Sequence, residues 1–79
     1  MPSKYPICTS SEVVSVLKKA GFIQTGQRGS HLKFVKDKTI VIVPIHRGDL
    51  KTGTLMGILM QAGMTVDEFR IRVKERYGY

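Results

Sequence analysis

The sequence contains two histidines, His31 and His46, the residue type best suited to act as acid or base near neutral pH. A single histidine at the start of a strand is more often structural or simply exposed than catalytic. Arg28 and Lys33 flank His31, however, and nearby cations suit a phosphate-bearing ligand. Gly29 allows a ligand to approach the backbone closely. The segment around His31 is therefore a candidate site for phosphate chemistry.

A second polar segment covers residues 46–54 and ends where a helix is expected to begin. Exposed amide groups and two hydroxyls could hold a phosphate there. Helix entry explains Thr52 and Gly53 equally well, so we prefer the interpretation of an ordinary loop with a helix cap. His46 is interpreted as a turn residue and not as a catalytic one.

Other kinds of site leave no signal in the sequence. There is no Walker loop, dinucleotide fingerprint, nucleophile elbow or zinc motif. Cys8 is the single cysteine and cannot form an internal disulfide. The acidic residues Glu12, Asp37 and Asp49 do not cluster in a two-metal pattern. We therefore predict no metal site and no cofactor.

A helix is predicted near the N-terminus. Thr9 and Glu12 match a capping box, which predicts that the helix begins at Ser10. Gly21 is the predicted stop. Apolar residues recur between these signals at helical spacing, namely Val13, Val16, Leu17 and Ala20.

Two further helices are predicted in the second half of the chain. A middle helix follows Thr52, and Gly63 supplies a left-handed stop. Thr65 and Glu68 match a second capping box, which predicts a short C-terminal helix that runs to about Arg76.

Between the first two helices the hydrophobic period changes to about two, which indicates strands. We predict three strands, over Phe22–Gln27, His31–Lys36 and Thr39–Pro44. Residues 28–30 contain the glycine that a tight reversal needs, and Asp37-Lys38 is a weaker turn signal. The expected architecture is α+β in the order α, β, β, β, α, with a three-stranded antiparallel sheet and a short extra helix at the end.

If Asp37-Lys38 is a two-residue turn, Phe34 faces Val41 and Leu32 faces Val43 on the side of the sheet that the helices cover. The opposite face is then mixed in character, and a finished monomeric sheet would instead be polar there. We expect something to cover this face, which carries His31, Lys33, Val35, Ile40, Ile42 and Pro44.

The composition bounds the size and the partners. The 79 residues contain 13 Lys and Arg against 6 Asp and Glu, a formal charge of +7. A chain this short is expected to form a single domain over residues 1–79 with surface chemistry. The excess of cations favours a polyanionic partner such as nucleic acid, although solubility alone would also explain it. No membrane span and no signal peptide are predicted, so a cytoplasmic protein is the default.

Five short strings occur in a fixed order and spacing: Lys19-Ala20-Gly21-Phe22, Gly29-Ser30-His31, Val43-Pro44-Ile45-His46, Gly53-Thr54-Leu55 and Ile58-Leu59-Met60-Gln61-Ala62-Gly63. With these strings the chain resembles the HicA toxin family of bacterial toxin-antitoxin systems, from about Pro6 to Val73. The resemblance implies a fold similar to double-stranded RNA-binding domains, which agrees with the predicted order of elements.

The resemblance also implies a function. Members of the family are mRNA interferases, which are held inactive by a HicB antitoxin. The histidine of the Gly-Ser-His string is implied to be catalytic, which selects His31. The neighbouring RNA-binding candidates are Arg28, Gly29, Ser30 and Lys33. A HicB-type antitoxin would cover the histidine and the apolar part of the mixed face.

Two other classes of function remain open on the sequence. A non-catalytic RNA-binding module of the double-stranded RNA-binding type would share the fold and the charge. A basic subunit that only binds a protein partner would show no affinity for RNA even at low salt.

Overall fold

The first helix, α1 (Ser10–Lys19), begins at the predicted capping box. In the computed structural model, which describes residues 5–77 and the side chains of 5–73, the Thr9 amide donates to Glu12 Oε1 at 2.9 Å. The Glu12 amide donates in return to Thr9 Oγ1 at 3.2 Å. The helix ends before Gly21, whose φ of +99° lies in the left-handed region that glycine adopts readily. Both the start and the stop predicted for α1 are confirmed.

Three antiparallel strands follow, β1 (Ile23–Arg28), β2 (His31–Lys36) and β3 (Thr39–Pro44), in the spatial order β1-β2-β3. The second and third strands have the predicted bounds, and the first lies one residue later than predicted. Asp37 makes the β2–β3 turn with a φ of +54°, a conformation that aspartate tolerates. The predicted register is confirmed, because Phe34 pairs with Val41 and Leu32 with Val43.

The pairing of β1 with β2 contains a β-bulge between Gln24 and Gly26, which the sequence analysis did not predict. Five positions separate Ile23 from Arg28, so regular alternation would place their side chains on opposite faces of the sheet. The bulge inserts one extra residue and brings both onto the same face. Gly26 inside a strand was the available sequence signal, since an isolated glycine in a strand often marks a bulge.

Two helices complete the fold. The middle helix, α2 (Thr52–Ala62), ends at Gly63, which has a φ of +67° as predicted. The C-terminal helix, α3 (Val66–Tyr77), begins after Thr65, whose hydroxyl accepts from the Glu68 amide at 3.1 Å. Its predicted end at about Arg76 lies one residue before the observed end.

All three helices contribute to a core on one face of the sheet. Phe34, Val41 and Val43 are fully buried, which confirms the predicted helix-covered face. The buried apolar residues are Cys8, Val13, Val16, Leu17, Phe22, Phe34, Val41, Val43, Leu50, Leu55, Ile58, Leu59, Phe69 and Val73. The other face of the sheet, here called the outer face, has no helix packed on it within the described part of the chain.

Candidate functional site

Cross-strand pairing arranges the outer face in three rows. The rows are Arg28–His31–Pro44, Gly26–Lys33–Ile42 and Ile23–Val35–Ile40. The first row carries a cation and a histidine, and the third is wholly apolar. The predicted mixed face therefore has a polar end and an apolar end, with Lys33 and Ile42 between them.

An open groove of about 620 Å³ lies at the polar end of the outer face. We call it the His31 groove, and it is lined by Gly26, Gln27, Arg28, His31, Lys33 and Ile42. Its three basic side chains are all exposed to solvent. The structure thus brings together three of the five predicted site residues, namely Arg28, His31 and Lys33.

The tight β1–β2 turn explains this arrangement. Arg28 pairs directly with His31 across the turn, so the two side chains emerge on the same face. Gly29 occupies the turn with a φ of +57°, which favours glycine. Gly29 and Ser30 were also predicted site residues, but neither lines the His31 groove. Gly26, Gln27 and Ile42 do line it, although they were not among the predicted site residues.

A second groove, of about 360 Å³, lies at the end of the sheet beyond the first row. We call it the His46 groove. Its polar lining consists of Ser30, His46, Lys51 and Thr54, and its apolar lining of Pro44, Ile45 and Leu50. The segment that was interpreted as an ordinary loop therefore forms one wall of a concave surface, next to the predicted site.

Ser10 holds this wall in place. Its buried hydroxyl donates to the Pro44 carbonyl at 2.8 Å and accepts from the His46 amide at 3.0 Å. The Ile45 amide donates to the Ser30 carbonyl at 2.6 Å, which joins the end of β3 to the β1–β2 turn. The chain between the two grooves is thus fixed by hydrogen bonds that reach across the fold.

The two grooves carry one sign of charge. Their ionisable side chains are Arg28, His31, Lys33, His46 and Lys51. Among the side chains described, no Asp or Glu lines either groove. A third concavity, of about 250 Å³, contains both Asp37 and Glu68 beside Lys36 and Arg72. Positive charge is therefore concentrated, without neutralising carboxylates, where the site residues were predicted.

The free edge of β3 is partly occupied by other parts of the fold. The Ile42 amide donates to Gln61 Oε1 at 2.9 Å, so a side chain of α2 occupies an edge position. Pro44 has no amide to expose and its carbonyl already accepts from Ser10. At these two positions the edge of β3 is already engaged within the fold, whereas its outer face is not covered by a described helix.

Other chemistry finds little support in the described residues. No group of three or more His, Cys, Asp or Glu side chains within 5–73 is placed to hold a metal ion. The buried Cys8 thiol is shielded, and burial, with smaller contributions from the charges of Glu12 and Asp49, raises its pKa to about 11. Over residues 5–77, no helix has the length and apolar character needed to cross a membrane.

Comparison with known proteins gives one finding. A family model described as the HicA toxin of bacterial toxin-antitoxin systems matches residues 10–64, which is more than half of the chain. The matched region begins with α1 and extends past the end of α2, so it contains both grooves. A search of the curated proteins found no significant match.

Proposed function

Because this chain belongs to the HicA toxin family of bacterial toxin-antitoxin systems, we propose that it is a metal-independent endoribonuclease that cleaves mRNA in the cytoplasm. His31 is the proposed catalytic residue, and a HicB-type antitoxin is the proposed inhibitor. One observation carries the proposal: His31 lies exposed beside two cations, in a groove whose described lining includes no carboxylate. Hard divalent cations prefer carboxylate ligands, so this lining suits a phosphate better than Mg²⁺.

The proposed reaction is an intramolecular attack within RNA. His31 accepts the proton of a ribose 2′-hydroxyl, and the 2′ oxygen forms a bond to the adjacent phosphorus. The bond from phosphorus to the 5′ oxygen breaks, which leaves a 2′,3′-cyclic phosphate on one fragment. The departing 5′ oxygen takes a proton from water, to which the open groove gives access. The route needs the 2′-hydroxyl, so DNA is not a substrate.

Arg28 and Lys33 have an electrostatic role in this reaction. Negative charge accumulates on the non-bridging phosphate oxygens as the new bond forms. Arg28 pairs with His31 across the turn, and Lys33 lies two residues along β2, so both cations border the place where the phosphate would bind. Charge-assisted hydrogen bonds from these side chains would stabilise the transition state. Gly29 and Ser30 contribute the tight turn, and with it a close approach for the RNA backbone.

The apolar end of the outer face supports an antitoxin contact. Ile40 is 51% exposed and Ile42 is 36% exposed, while Val35 is half-buried between its neighbours. Apolar side chains in one exposed patch are typical of protein interaction sites. We propose that a HicB-type antitoxin buries these three residues and covers His31 at the same time. An acidic antitoxin would also be attracted by the positive grooves.

The experiment compares wild-type protein with His31→Ala. Because His31 is exposed, the substitution should change the free energy of unfolding by less than about 0.5 kcal/mol, which circular dichroism can check. We expect growth arrest and RNA cleavage on induction of the wild type, and loss of both in His31→Ala. Lys38→Ala is the control variant and should retain wild-type activity, because Lys38 lies in the β2–β3 turn at the other end of the hairpin.

A synthetic RNA and its fully 2′-deoxy counterpart complete the test, and only the RNA should be cut. Equal cleavage by wild type and His31→Ala would overturn the catalytic assignment. If wild type binds RNA without cutting it, the chain is an RNA-binding module. Absence of RNA affinity at low salt would instead favour a subunit that binds only protein.

A further inference from the structure

We propose that the His46 groove is a second binding site for the same RNA strand, where it holds a phosphate next to the one at His31. The inference rests on the proposed function, since it takes RNA as the substrate, and it extends the site beyond the residues given to it above. Its new binding residues are His46, Lys51 and Thr54, which line the groove together with the earlier candidate Ser30.

The two grooves are neighbours. Ser30 lines the His46 groove and stands in the chain directly before His31, which lines the other. Pro44 lines the His46 groove and is the cross-strand partner of His31. The Arg28–His31–Pro44 row is therefore the boundary between the grooves, and a strand that places a phosphate at His31 has a second concave surface beside it.

The polar groups of the His46 groove are suited to a phosphate. Lys51 supplies a permanent positive charge, and the hydroxyls of Ser30 and Thr54 can donate hydrogen bonds to phosphate oxygens. His46 adds ring N–H donation. The described lining has no carboxylate to repel the ligand. The third concavity, by contrast, contains the carboxylates of Asp37 and Glu68, which would repel a phosphate.

The groove is built before the ligand arrives. Two bonds of the Ser10 hydroxyl fix the Pro44–His46 stretch, and the Leu50 amide donates to the Cys8 carbonyl at 2.8 Å. Both anchors are buried: Ser10 is the first residue of α1, and Cys8 lies just before its N-cap. A wall that is already ordered loses little conformational entropy on binding, which favours recognition over a mobile loop.

The test measures binding of a single-stranded RNA oligonucleotide in the His31→Ala background, so that the RNA stays intact. Each phosphate contact on single-stranded nucleic acid contributes about 0.7 to the slope of log K against log salt concentration. We expect Lys51→Ala to raise Kd about fivefold at moderate salt and to lower that slope by about 0.7. His46→Gln should also raise Kd, and it serves as an independent variant of the same groove.

Two comparisons sharpen the result. Lys38→Ala removes the same charge from the other end of the hairpin, so it should change Kd by less than about twofold and leave the slope unaltered. The double variant Lys33→Ala/Lys51→Ala removes one phosphate contact from each groove, so it should lower the slope by about 1.4. One RNA should bind per protein, because both grooves hold the same strand.

The inference is overturned if Lys51→Ala binds RNA as Lys38→Ala does, or if two RNA molecules bind at once. It is also overturned if Lys51→Ala weakens only a complex with an acidic protein. Cleavage by the wild type is measured separately. If the wild type cuts RNA but the substitutions leave the salt-dependence slope unchanged, this inference fails and the proposed function stands. If the slopes change and nothing is cut, the proposed function fails.

Discussion

At the scale of single residues, the histidine of the proposed site is set apart by its neighbours. His31 and His46 are both exposed, and each lies in a groove with cations and hydroxyls or amides. Of the two, only His31 lies on the sheet with two cations beside it, Arg28 as its direct cross-strand partner and Lys33 in the next row. A base placed beside the phosphate charge is what cleavage requires, whereas binding requires only donors.

Cys8 gives a prediction at the same scale. Burial and nearby negative charges raise the pKa of its thiol to about 11, from an ordinary value of 9.0. At pH 8 the thiolate fraction in the folded protein is then on the order of 100-fold lower than in the unfolded chain. We expect iodoacetamide to label Cys8 slowly in native protein and quickly in urea, as followed by mass spectrometry. Equal rates in the two states would contradict the buried position.

The same thiol affects stability at high pH. Between about pH 9 and 11 the unfolded chain loses the thiol proton while the folded protein retains it, so the free energy of unfolding falls as pH rises through this interval. Below pH 9 both states are protonated and the thiol contributes no pH dependence. Cys8→Ala isolates the effect, because its stability should decline less over that interval than that of the wild type.

At the scale of secondary-structure elements, capping and turn residues decide where the helices begin and end. The capping box of α1, the Thr65 cap of α3 and the glycines after α1 and α2 act through hydrogen bonds and backbone angles within a few residues of each boundary. The bulge in β1 has a larger consequence, because it moves Ile23 to the outer face beside Val35. Ile23 is 68% exposed there and extends the apolar row.

Two glycines of the α2 region make a matched test of backbone angle. An added Cβ would meet nothing within 4 Å at either Gly57 or Gly63, so only the backbone distinguishes them. Gly57 lies inside the helix, and Gly57→Ala should stabilise the protein by about 1 kcal/mol. Gly63 has a φ of +67°, and Gly63→Ala should destabilise it by about 1 to 2 kcal/mol. Urea unfolding measures both, and changes of the same sign would contradict this account.

At the scale of the whole molecule, the two faces of one small sheet have different tasks. The inner face contributes Phe34, Val41 and Val43 to the core that it shares with the helices, and the outer face carries the positive grooves and the apolar row. The net charge is +7, and no described carboxylate lines either groove, so the cations of the grooves are not neutralised within the lining. In the proposed function, long-range attraction of RNA and local contact with its phosphates would therefore act at the same surface.

This division predicts opposite outcomes for two substitutions in one hairpin. Phe34 is fully buried, and Phe34→Ala should cost about 3 to 5 kcal/mol, against roughly 4 to 12 kcal/mol of total stability for a chain of this length. Ile40→Ala on the outer face should cost less than about 1 kcal/mol, because that side chain is half exposed. Thermal denaturation followed by circular dichroism compares them. Similar losses would mean that the outer face is not free in the isolated protein.

The sequence by itself determined the features that depend on short-range interactions. Thr9 with Glu12 and Thr65 with Glu68 set helix starts, because each pair bonds within three residues. The alternation around Asp37 set the register of β2 and β3 and placed His31 and Lys33 on one face, since side chains in a strand alternate. The family itself was also recognisable from the five strings, and the match over residues 10–64 agrees with them.

Only the tertiary structure decided how the site is assembled. The His46 groove depends on Ser10, which bonds to chain 34 and 36 positions away, and no local pattern encodes such a contact. The bulge in β1 depends on how Ile23 and Gln24 pair with β2. All six residues of β1 are exposed, so the burial of side chains could not have distinguished a bulged register from a regular one. Packing across the fold therefore fixed the shape of the surface, whereas local chemistry had already fixed which residues could be on it.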